Sequence, residues 1–327
     1  MKTTSKLIFF LFSFLIFSHT LIGKNITKVN KENLLKYVEY LASDSLKGRL
    51  AGSGYDYITA KYLEKNLYDL GFEPLFGNSG IIPFCMPSKM VNAMRRFLGV
   101  GEAITDTTYN VAMIYRSHKN VNNNILIGAH YDHLGVSIRD VKISKAKKGD
   151  IYNGALDNAC GVASVLESVR TQINNPKKLK RNLIVAFFGA EEMGLFGSHE
   201  LAKMLKDSSI NINFMLNAEM TGGKIKGDSI NIVGSESFDF YYYLKRIKNP
   251  MKFKFFKSYA LEKGSDHVPF YKTNVPVMSV ATSDFSNYHT PADNINSINF
   301  DNLYYVTNFI TEWLKMLLTI KDVPKFQ

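Results

Sequence analysis

Apolar residues alternate along the chain between two kinds of spacing. Helical spacing marks residues 31–43, 55–70, 161–172, 197–205, 238–247 and 302–318. Short apolar runs typical of strands mark residues 110–115, 124–129, 182–188, 213–217, 229–233 and 275–281. Strands that alternate with helices favour an α/β fold, in which a mostly parallel sheet is covered by helices on both faces.

The stretch 75–108 does not follow this alternation. It contains Pro83, Pro87 and several glycines, so we expect an irregular excursion over the surface. The long closing helix carries Trp313, the single tryptophan, which we expect in the core. We find no repeat and no linker after residue 24, and a single domain over residues 24–327 is the simplest prediction.

The first 23 residues differ from the rest of the chain. Lys2 and Lys6 precede an apolar run from Leu7 to Phe17, and small or polar residues follow. That run is shorter than the ~20 residues a membrane span needs, and a basic start suits a secretory signal. We therefore predict a signal peptide at 1–23, export to a periplasmic or extracellular location, and no stable membrane insertion after cleavage. An uncleaved N-terminal anchor is the alternative.

Charge and cysteine content narrow the classes of function. The formal net charge is +11, but the lysines are scattered, and the clusters at 144–150 and 175–181 lie beside turn residues. We interpret them as solvated loops and expect no nucleic acid partner. Only Cys85 and Cys160 occur, far apart in the chain, and a buried thiol is the preferred interpretation of Cys160.

Side chains that bind divalent metals stand where predicted strands end. The candidates are His130, Asp132, Asp157, Glu191, Glu192, Glu219 and His289. Imidazole and carboxylate without thiolate suit zinc or a related ion in a hydrolytic site. Because these ligands exceed what one catalytic zinc needs, the first hypothesis is a hydrolase with two metals.

The motif GAHYDHLGV offers a metal ligand and its support. If the chain stays extended after the run 124–129, Asp132 shares a face with His130 and orients its imidazole. His133 is a competing ligand, but in an extended chain it points to the other face. Taken alone, His130 has a second interpretation as a core histidine beside a surface acid.

The acidic residues after this motif have different expected roles, which depend on their positions in the chain. An Asp before a helix is usually an N-cap, but beside the other ligands Asp157 becomes the best candidate for a carboxylate that bridges two cations. Glu191 and Glu192 are adjacent and point in different directions. One can therefore bind a metal while the other accepts a proton from water and passes it to a leaving amine. His267, in the polar loop 263–267, suits a pocket wall as well as a ligand.

Together these residues resemble the M28 family of zinc-dependent peptidases, of the Aeromonas and Streptomyces aminopeptidase type. The resemblance begins at LASDSLKGRLAGSGYD (41–56) and continues through every metal-binding motif to YHTPADNINSI (288–298). It implies a mixed, mostly parallel sheet of about eight strands sandwiched between helices. The stretch 75–108 is too short to hold an inserted protease-associated domain.

The resemblance also implies a role for each residue and two Zn²⁺ per chain. One zinc takes His130, Asp157 and Glu219, and the other takes Glu192, His289 and the shared Asp157. Glu191 is then the general base, and Asp132 is the acid behind His130. Most members carry Asp where this chain has Glu219, and the longer side chain displaces that carboxylate.

The expected function is that of an exported metallo-aminopeptidase acting on peptide substrates. A carboxypeptidase acting on small or γ-linked peptides and a glutaminyl cyclase with a single zinc are the alternatives on the same fold. A non-enzymatic binding protein predicts lost ligands, and none is lost here. The sequence leaves side-chain preference and oligomeric state open.

Overall fold

The computed structural model describes residues 28–101, 105–118, 122–174, 176–227, 229–248, 252–258 and 264–327. The predicted signal peptide at 1–23 lies outside the described residues and stays a prediction. None of the described helices combines the length and the apolar character that crossing a membrane requires.

Within the part of the chain that the structure describes, nine strands form one mixed sheet, one more than expected. Its strands are β1 (Glu73–Pro74), β2 (Ile81–Cys85), β3 (Thr107–Tyr115), β4 (Asn124–His130), β7 (Asn182–Phe188), β8 (Ile212–Glu219), β9 (Ser229–Val233), β10 (Lys254–Ser258) and β11 (Val277–Ala281), while β5 (Gly135–Val136) and β6 (Ile151–Tyr152) form a separate ribbon. The order across the sheet is β1-β3-β7-β4-β8-β11-β9-β10, and β2 pairs with β3.

The centre of this sheet is parallel. Strand β4 lies between β7 and β8, parallel to both, and β11 continues the parallel set beside β8. Every residue of β4 and of β7 is buried, which explains why β7 reads as a continuous apolar run. The carboxyl ends of these strands therefore meet at one edge of the sheet, where ligand sites of α/β proteins lie.

Helices cover both faces of the sheet. They are α1 (Lys31–Leu41), α2 (Tyr55–Asp69), α3 (Ser88–Leu98), α4 (Cys160–Gln172), α5 (Phe196–Asp207), α6 (Phe240–Leu244), α7 (His267–Tyr271) and α8 (Phe300–Thr319). Side chains of α1, α2, α4 and α8 join the larger core on one face, and those of α5 and α7 join a smaller core on the other.

The closing helix anchors the larger core. Asn299 caps α8 because its side chain accepts the backbone N–H of Asn302. This N–H belongs to the first helical turn and has no acceptor within the helix. Trp313 is fully buried, as predicted, and its ring stacks on that of Phe240 at 5.5 Å. Cys160 is a buried free thiol, also as predicted, and Cys85 is free and exposed.

Two segments differ from the prediction. The stretch 75–108 is not irregular, because it contains β2 and α3. Among the described strands, β2 pairs only with β3 and so lies at an edge. Pro83 is tolerated there because a missing N–H at an edge costs no ladder bond. Of the polar loop predicted at 263–267, the described residues 264–266 precede α7, and His267 is the first residue of that helix. That residues 24–327 form a single domain stays a prediction, and the one continuous sheet supports it.

Candidate functional site

Two imidazoles and three carboxylates converge at the carboxyl edge of the sheet. The Nε2 atom of His130, the last residue of β4, lies 3.2 Å from Asp157 Oδ1 and 3.2 Å from Glu219 Oε1. The Nε2 atom of His289 lies 3.3 Å from Asp157 Oδ2 and 2.9 Å from Glu192 Oε2. Asp157 thus faces both histidines, one through each oxygen, which is the geometry of a bridging carboxylate.

Hydrogen bonds to two other segments of the chain fix the loop that carries Asp157. The carboxylate of Asp293 accepts the backbone N–H groups of Leu156 and Asp157 at 2.7 and 3.0 Å. The side chain of Asn158 donates to the carbonyl of Ala218 and accepts the N–H of Met220, next to Glu219. These bonds fix Asp157 relative to the end of β8, and the sequence did not indicate the contacts of Asn158.

Glycine lets this loop approach its neighbours. Gly154 has φ +59°, and a Cβ there would lie 2.6 Å from the His133 ring and 2.3 Å from the Asp157 carbonyl oxygen. A Cβ on Gly161 would lie 2.2 Å from Asn158 Oδ1. A side chain at either position would therefore block the close backbone approach that this loop makes.

Asp132 has a different contact from the one expected. The His130 Nδ1 atom lies 3.1 Å from the backbone carbonyl of Asp132 but 3.7 Å from its carboxylate, which is beyond hydrogen-bond distance. The two carboxylate oxygens instead accept the backbone N–H groups of Glu191 and Glu192 at 3.0 and 3.3 Å. The carboxylate of Asp132 therefore fixes the turn that carries Glu191 and Glu192. Its backbone carbonyl contacts His130.

The expectation that His133 points away from the site is wrong. Its Nδ1 atom lies 2.6 Å from Glu192 Oε1 and 3.9 Å from Asp157 Oδ2. The extended chain ends at His130, so the alternation of faces no longer holds three residues later. His133 and His289 thus approach Glu192 through different oxygens, and the two rings lie 5.7 Å apart.

The distances around His133 and His289 suit different roles for the two side chains. A single nitrogen of His289 lies within 3.3 Å of both Asp157 and Glu192, as sharing one ion requires. His133 lies much nearer to Glu192, at 2.6 Å, than to Asp157, at 3.9 Å, and its Nε2 is buried without a hydrogen-bond partner among the described residues. His289 is therefore the better candidate ligand, and His133 is the better candidate to orient Glu192.

Opposite charges within the cluster shift the pKa values of His130, His289 and Asp157. Burial disfavours the charged form of His130, but the negative charges of Glu219 and Glu191 outweigh burial and raise its pKa well above the usual range. For His289, the nearby Glu192 and Asp157 overcome burial in the same way and raise the pKa to about 10. Burial also opposes ionisation of Asp157, yet the neighbouring imidazoles hold its pKa well below normal.

Glu191 stands apart from both sets of contacts. No described histidine lies within ion-pair distance of its carboxylate, although Glu191 borders the same cavity. Burial, together with the charges of Glu192, Asp266 and Glu219, raises its pKa well above the usual range. A carboxylate with this affinity for a proton, beside ligands but not among them, suits a proton acceptor.

A cavity of about 200 Å³ opens beside the cluster. His130, Asp157, Glu191 and Glu219 form one side of it, and the ends of β9 and β11 form another. Tyr288 lies at its border and stacks on the His289 ring at 3.7 Å, a contact that the sequence did not indicate. His267 also lines the cavity, in agreement with a pocket wall.

A family model decides the assignment. The model of peptidase family M28 matches residues 110–314, more than half of the chain. The chain belongs to peptidase family M28. The resemblance seen in the motifs is thereby confirmed, and the match includes every candidate site residue, from His130 to His289.

Curated M28 relatives are named as peptidases. Aminopeptidase YwaD of Bacillus subtilis is 27% identical over 239 residues, which cover 68% of this chain and 48% of the relative. A probable leucine aminopeptidase of Arthroderma benhamiae is 26% identical, with 55% of this chain and 49% of the relative covered. The chain spans about half the length of these curated relatives.

Solved M28-like structures share the fold. A zinc aminopeptidase from Bacillus subtilis aligns with a TM-score of 0.70 at 15% identity, covering 90% of this chain and 96% of that one. Glutaminyl cyclase from Porphyromonas gingivalis aligns with a TM-score of 0.63 at 16% identity, covering 88% and 98%. At these identities the likeness concerns the fold, and it confirms the mixed α/β sheet flanked by helices.

The residues present fit divalent cations. Among the described residues, His130, Asp157 and Glu219 form one group that could hold a metal, and His133, Asp157 and Glu192 form another. His289 belongs beside the second group, and its Nε2 is buried close to two carboxylates without satisfying hydrogen-bond geometry to either. A cation between these atoms removes both the unpaired nitrogen and the excess of buried negative charge.

Proposed function

We propose that this M28 chain is a dinuclear zinc exopeptidase that removes N-terminal residues from peptides. The observation that carries the proposal is Asp157, whose two oxygens face His130 on one side and His289 on the other. His130, Asp157 and Glu219 would hold one zinc, and Asp157, Glu192 and His289 the other. The family membership and the names of the relatives support this assignment.

The chain's own residues divide the chemistry. Zinc, when bound, polarises a carbonyl group and lowers the pKa of water. Glu191 accepts the proton of the attacking water and delivers it to the nitrogen of the leaving amine. Asp132 holds Glu191 and Glu192 in place through their backbone N–H groups. The stacked Tyr288 limits the movement of the His289 ring.

The charges around the cavity favour an aminopeptidase over a carboxypeptidase. An exopeptidase must recognise a charged chain end, and a free carboxylate is normally met by Arg or Lys. No described lysine or arginine lines the cavity, whereas Glu191 and Glu219 do. Lys224 and Lys226 line a separate groove that shares only Phe285 with it. An ammonium group suits such an acidic cavity.

Substrates with free and blocked amines test this proposal. We expect the zinc-loaded protein to cleave alanyl- and leucyl-p-nitroanilide but not their N-acetyl forms, and a chelator to abolish cleavage until zinc is restored. Cleavage of peptides with blocked N-termini, with no cleavage of the free-amine anilides, would favour the carboxypeptidase alternative.

A glutaminyl cyclase remains the second candidate because structures of an enzyme with that activity share the fold. Cyclisation needs no water nucleophile, whereas this chain keeps a full second set of potential ligands around His130. The two reactions leave different products from a substrate with N-terminal glutamine. Hydrolysis of glutaminyl-p-nitroanilide releases nitroaniline, and cyclisation releases ammonia and leaves the anilide bond intact.

A further inference from the structure

The wall of the active-site cavity is built from three neighbouring strands in register. Glu219 of β8 lies opposite Ala281 of β11, which lies opposite Asn231 of β9. These three residues form the first row. A second row lies two positions away along each strand, where Ser279 lies opposite both Asn217 and Val233. Since alternate residues of a strand share a face, both rows lie on the face of Glu219. The second row is deeper by about 7 Å.

Polar groups occupy both rows. The Asn217 side chain donates to the hydroxyl oxygens of Ser265 and Ser279 at 3.2 Å each, and Ser265 in turn donates to Glu219 at 2.6 Å. Ser279 is 3% exposed, and its own hydroxyl hydrogen has no acceptor among the described residues. The half-buried side-chain amide of Asn231 likewise makes no hydrogen bond within the described part of the chain.

These unused groups decide which side chain the cavity accepts. An aliphatic side chain would cover the Ser279 hydroxyl and the Asn231 amide without offering either of them a hydrogen-bond partner, and a buried unpaired polar group is unfavourable. An acidic side chain would face Glu219 and meet no lysine or arginine among the described lining residues. A neutral side chain that both donates and accepts hydrogen bonds satisfies the cavity.

We propose that this cavity selects an N-terminal residue with a neutral, hydrogen-bonding side chain, glutamine foremost, and that Ser279 and Asn231 determine this specificity. The Ser279 hydroxyl donates to the side-chain carbonyl of the substrate, and the Asn231 amide pairs with its amide end. Glutamine reaches one methylene deeper than asparagine, toward the second row. This inference rests on the proposed function, because it takes the metal cluster to bind the substrate's backbone.

Kinetic specificity is the first test. The zinc-loaded full chain is assayed with glutaminyl-, leucyl-, glutamyl- and lysyl-p-nitroanilide, and both nitroaniline and ammonia are measured. We expect kcat/KM for total turnover of the glutamine substrate to exceed that of leucine by at least about tenfold. Ser279→Ala and Asn231→Leu lower that ratio by about tenfold each, while the exposed Asn296→Leu leaves it unchanged.

Binding is a second readout that does not depend on turnover. Calorimetry with L-glutamine hydroxamate and L-leucine hydroxamate measures the same preference, and the leucine probe reports whether each variant still has a folded site. A wild-type preference for leucine in both assays overturns the proposal, as does a ratio that neither variant changes.

The two proposals fail separately. If no anilide is hydrolysed but glutamine hydroxamate still binds tighter than the leucine probe, the aminopeptidase function is wrong and the specificity of the cavity stands. Ammonia release from the glutamine substrate without nitroaniline has the same meaning. Hydrolysis of every anilide at equal rates, with equal hydroxamate affinities, leaves the aminopeptidase intact and refutes the specificity.

Discussion

Glu191 and Glu192 show how two adjacent side chains acquire different chemistry. Asp132 accepts both backbone N–H groups, so the two glutamates start from one rigid turn. Glu192 then contacts His133 and His289, while Glu191 faces the cavity without an imidazole partner among the described residues. Position in the turn, rather than residue type, separates the proposed ligand from the proposed base.

Replacing the proposed base tests that division. We expect Glu191→Gln to lower kcat by about 10²–10⁴-fold, since the amide keeps the shape but accepts no proton. Zinc content, measured by plasma emission spectrometry, should stay at the wild-type value. Glu200→Gln on α5 is the matched control and should change neither quantity. Full activity of the Glu191→Gln variant would refute the general-base assignment.

His133 gives a second test at the scale of one residue. Because its Nδ1 lies 2.6 Å from Glu192 Oε1, we expect His133→Leu to weaken zinc binding by about 10–100-fold through loss of this orienting contact. His133→Asn keeps a donor and should weaken it less. Competition with a chelating dye measures both affinities. Loss of a whole equivalent of zinc in His133→Leu would instead make His133 a ligand.

Most of the candidate site follows from the sequence, because ligands at strand ends meet at one sheet edge wherever the strands are parallel. The five proposed metal ligands form one connected group, in which Asp157 contacts both His130 and His289. The contacts of Asp132, His133 and Tyr288 did not follow. They depend on how the chain turns after a strand, and sequence periodicity carries no information about such turns.

At the scale of elements, the segment before the sheet supports the site through one buried side chain. Arg49 is 1% exposed, and its guanidinium donates to the carbonyls of Tyr131, Asn153 and Gly154 at 2.7, 2.7 and 3.0 Å and to that of Leu41. It thereby joins the end of α1 to the loop after β4 and to the loop before Asp157. Burial lowers its pKa to about 10, and nearby acids such as Asp293 favour its charged form.

Removing this cation should loosen both ligand loops. We expect Arg49→Met to lower the unfolding free energy of the metal-free protein by at least about 2 kcal/mol, because several buried carbonyls lose their donor. Arg49→Lys keeps the charge and should lose less. Urea unfolding measures both, and the exposed Arg96→Met should change stability by less than about 0.5 kcal/mol. Equal stability of Arg49→Met and wild type would contradict the proposed support.

The elements themselves were predictable where local pattern and burial agree. Strand β7 has the predicted bounds because its seven residues are all buried and apolar residues dominate it. The strand β2 and the helix α3 were missed, since Pro83 and Pro87 are ordinarily signs of irregular structure. Only the position of β2 at an edge makes Pro83 acceptable there, and edge position is a property of the whole sheet.

At the scale of the molecule, the fold brings several carboxylates together at the carboxyl edge of the sheet, where a bound cation can neutralise them. Asp157, Glu192 and Glu219 are brought together by segments that lie far apart in the chain, so their mutual repulsion is a cost of folding. Bound zinc relieves this repulsion only in the folded protein. Metal binding and stability are therefore coupled.

Thermal or urea unfolding with and without metal tests this coupling. Zinc at about 100 times its dissociation constant should raise the unfolding free energy by about 2.7 kcal/mol per site, and a chelator should reverse the gain. Asp157→Asn removes the ligand proposed to be shared and should abolish most of the zinc-dependent gain. An equal response to zinc in wild type and Asp157→Asn would mean that the metal binds elsewhere.

The most direct test of the proposed dinuclear centre is an anomalous difference map, measured at the zinc absorption edge from crystals of the zinc-loaded protein. We predict two peaks, one among His130, Asp157 and Glu219 and the other among Asp157, Glu192 and His289, with Glu191 bound to neither. A single peak, or two peaks that do not share Asp157, would contradict the account.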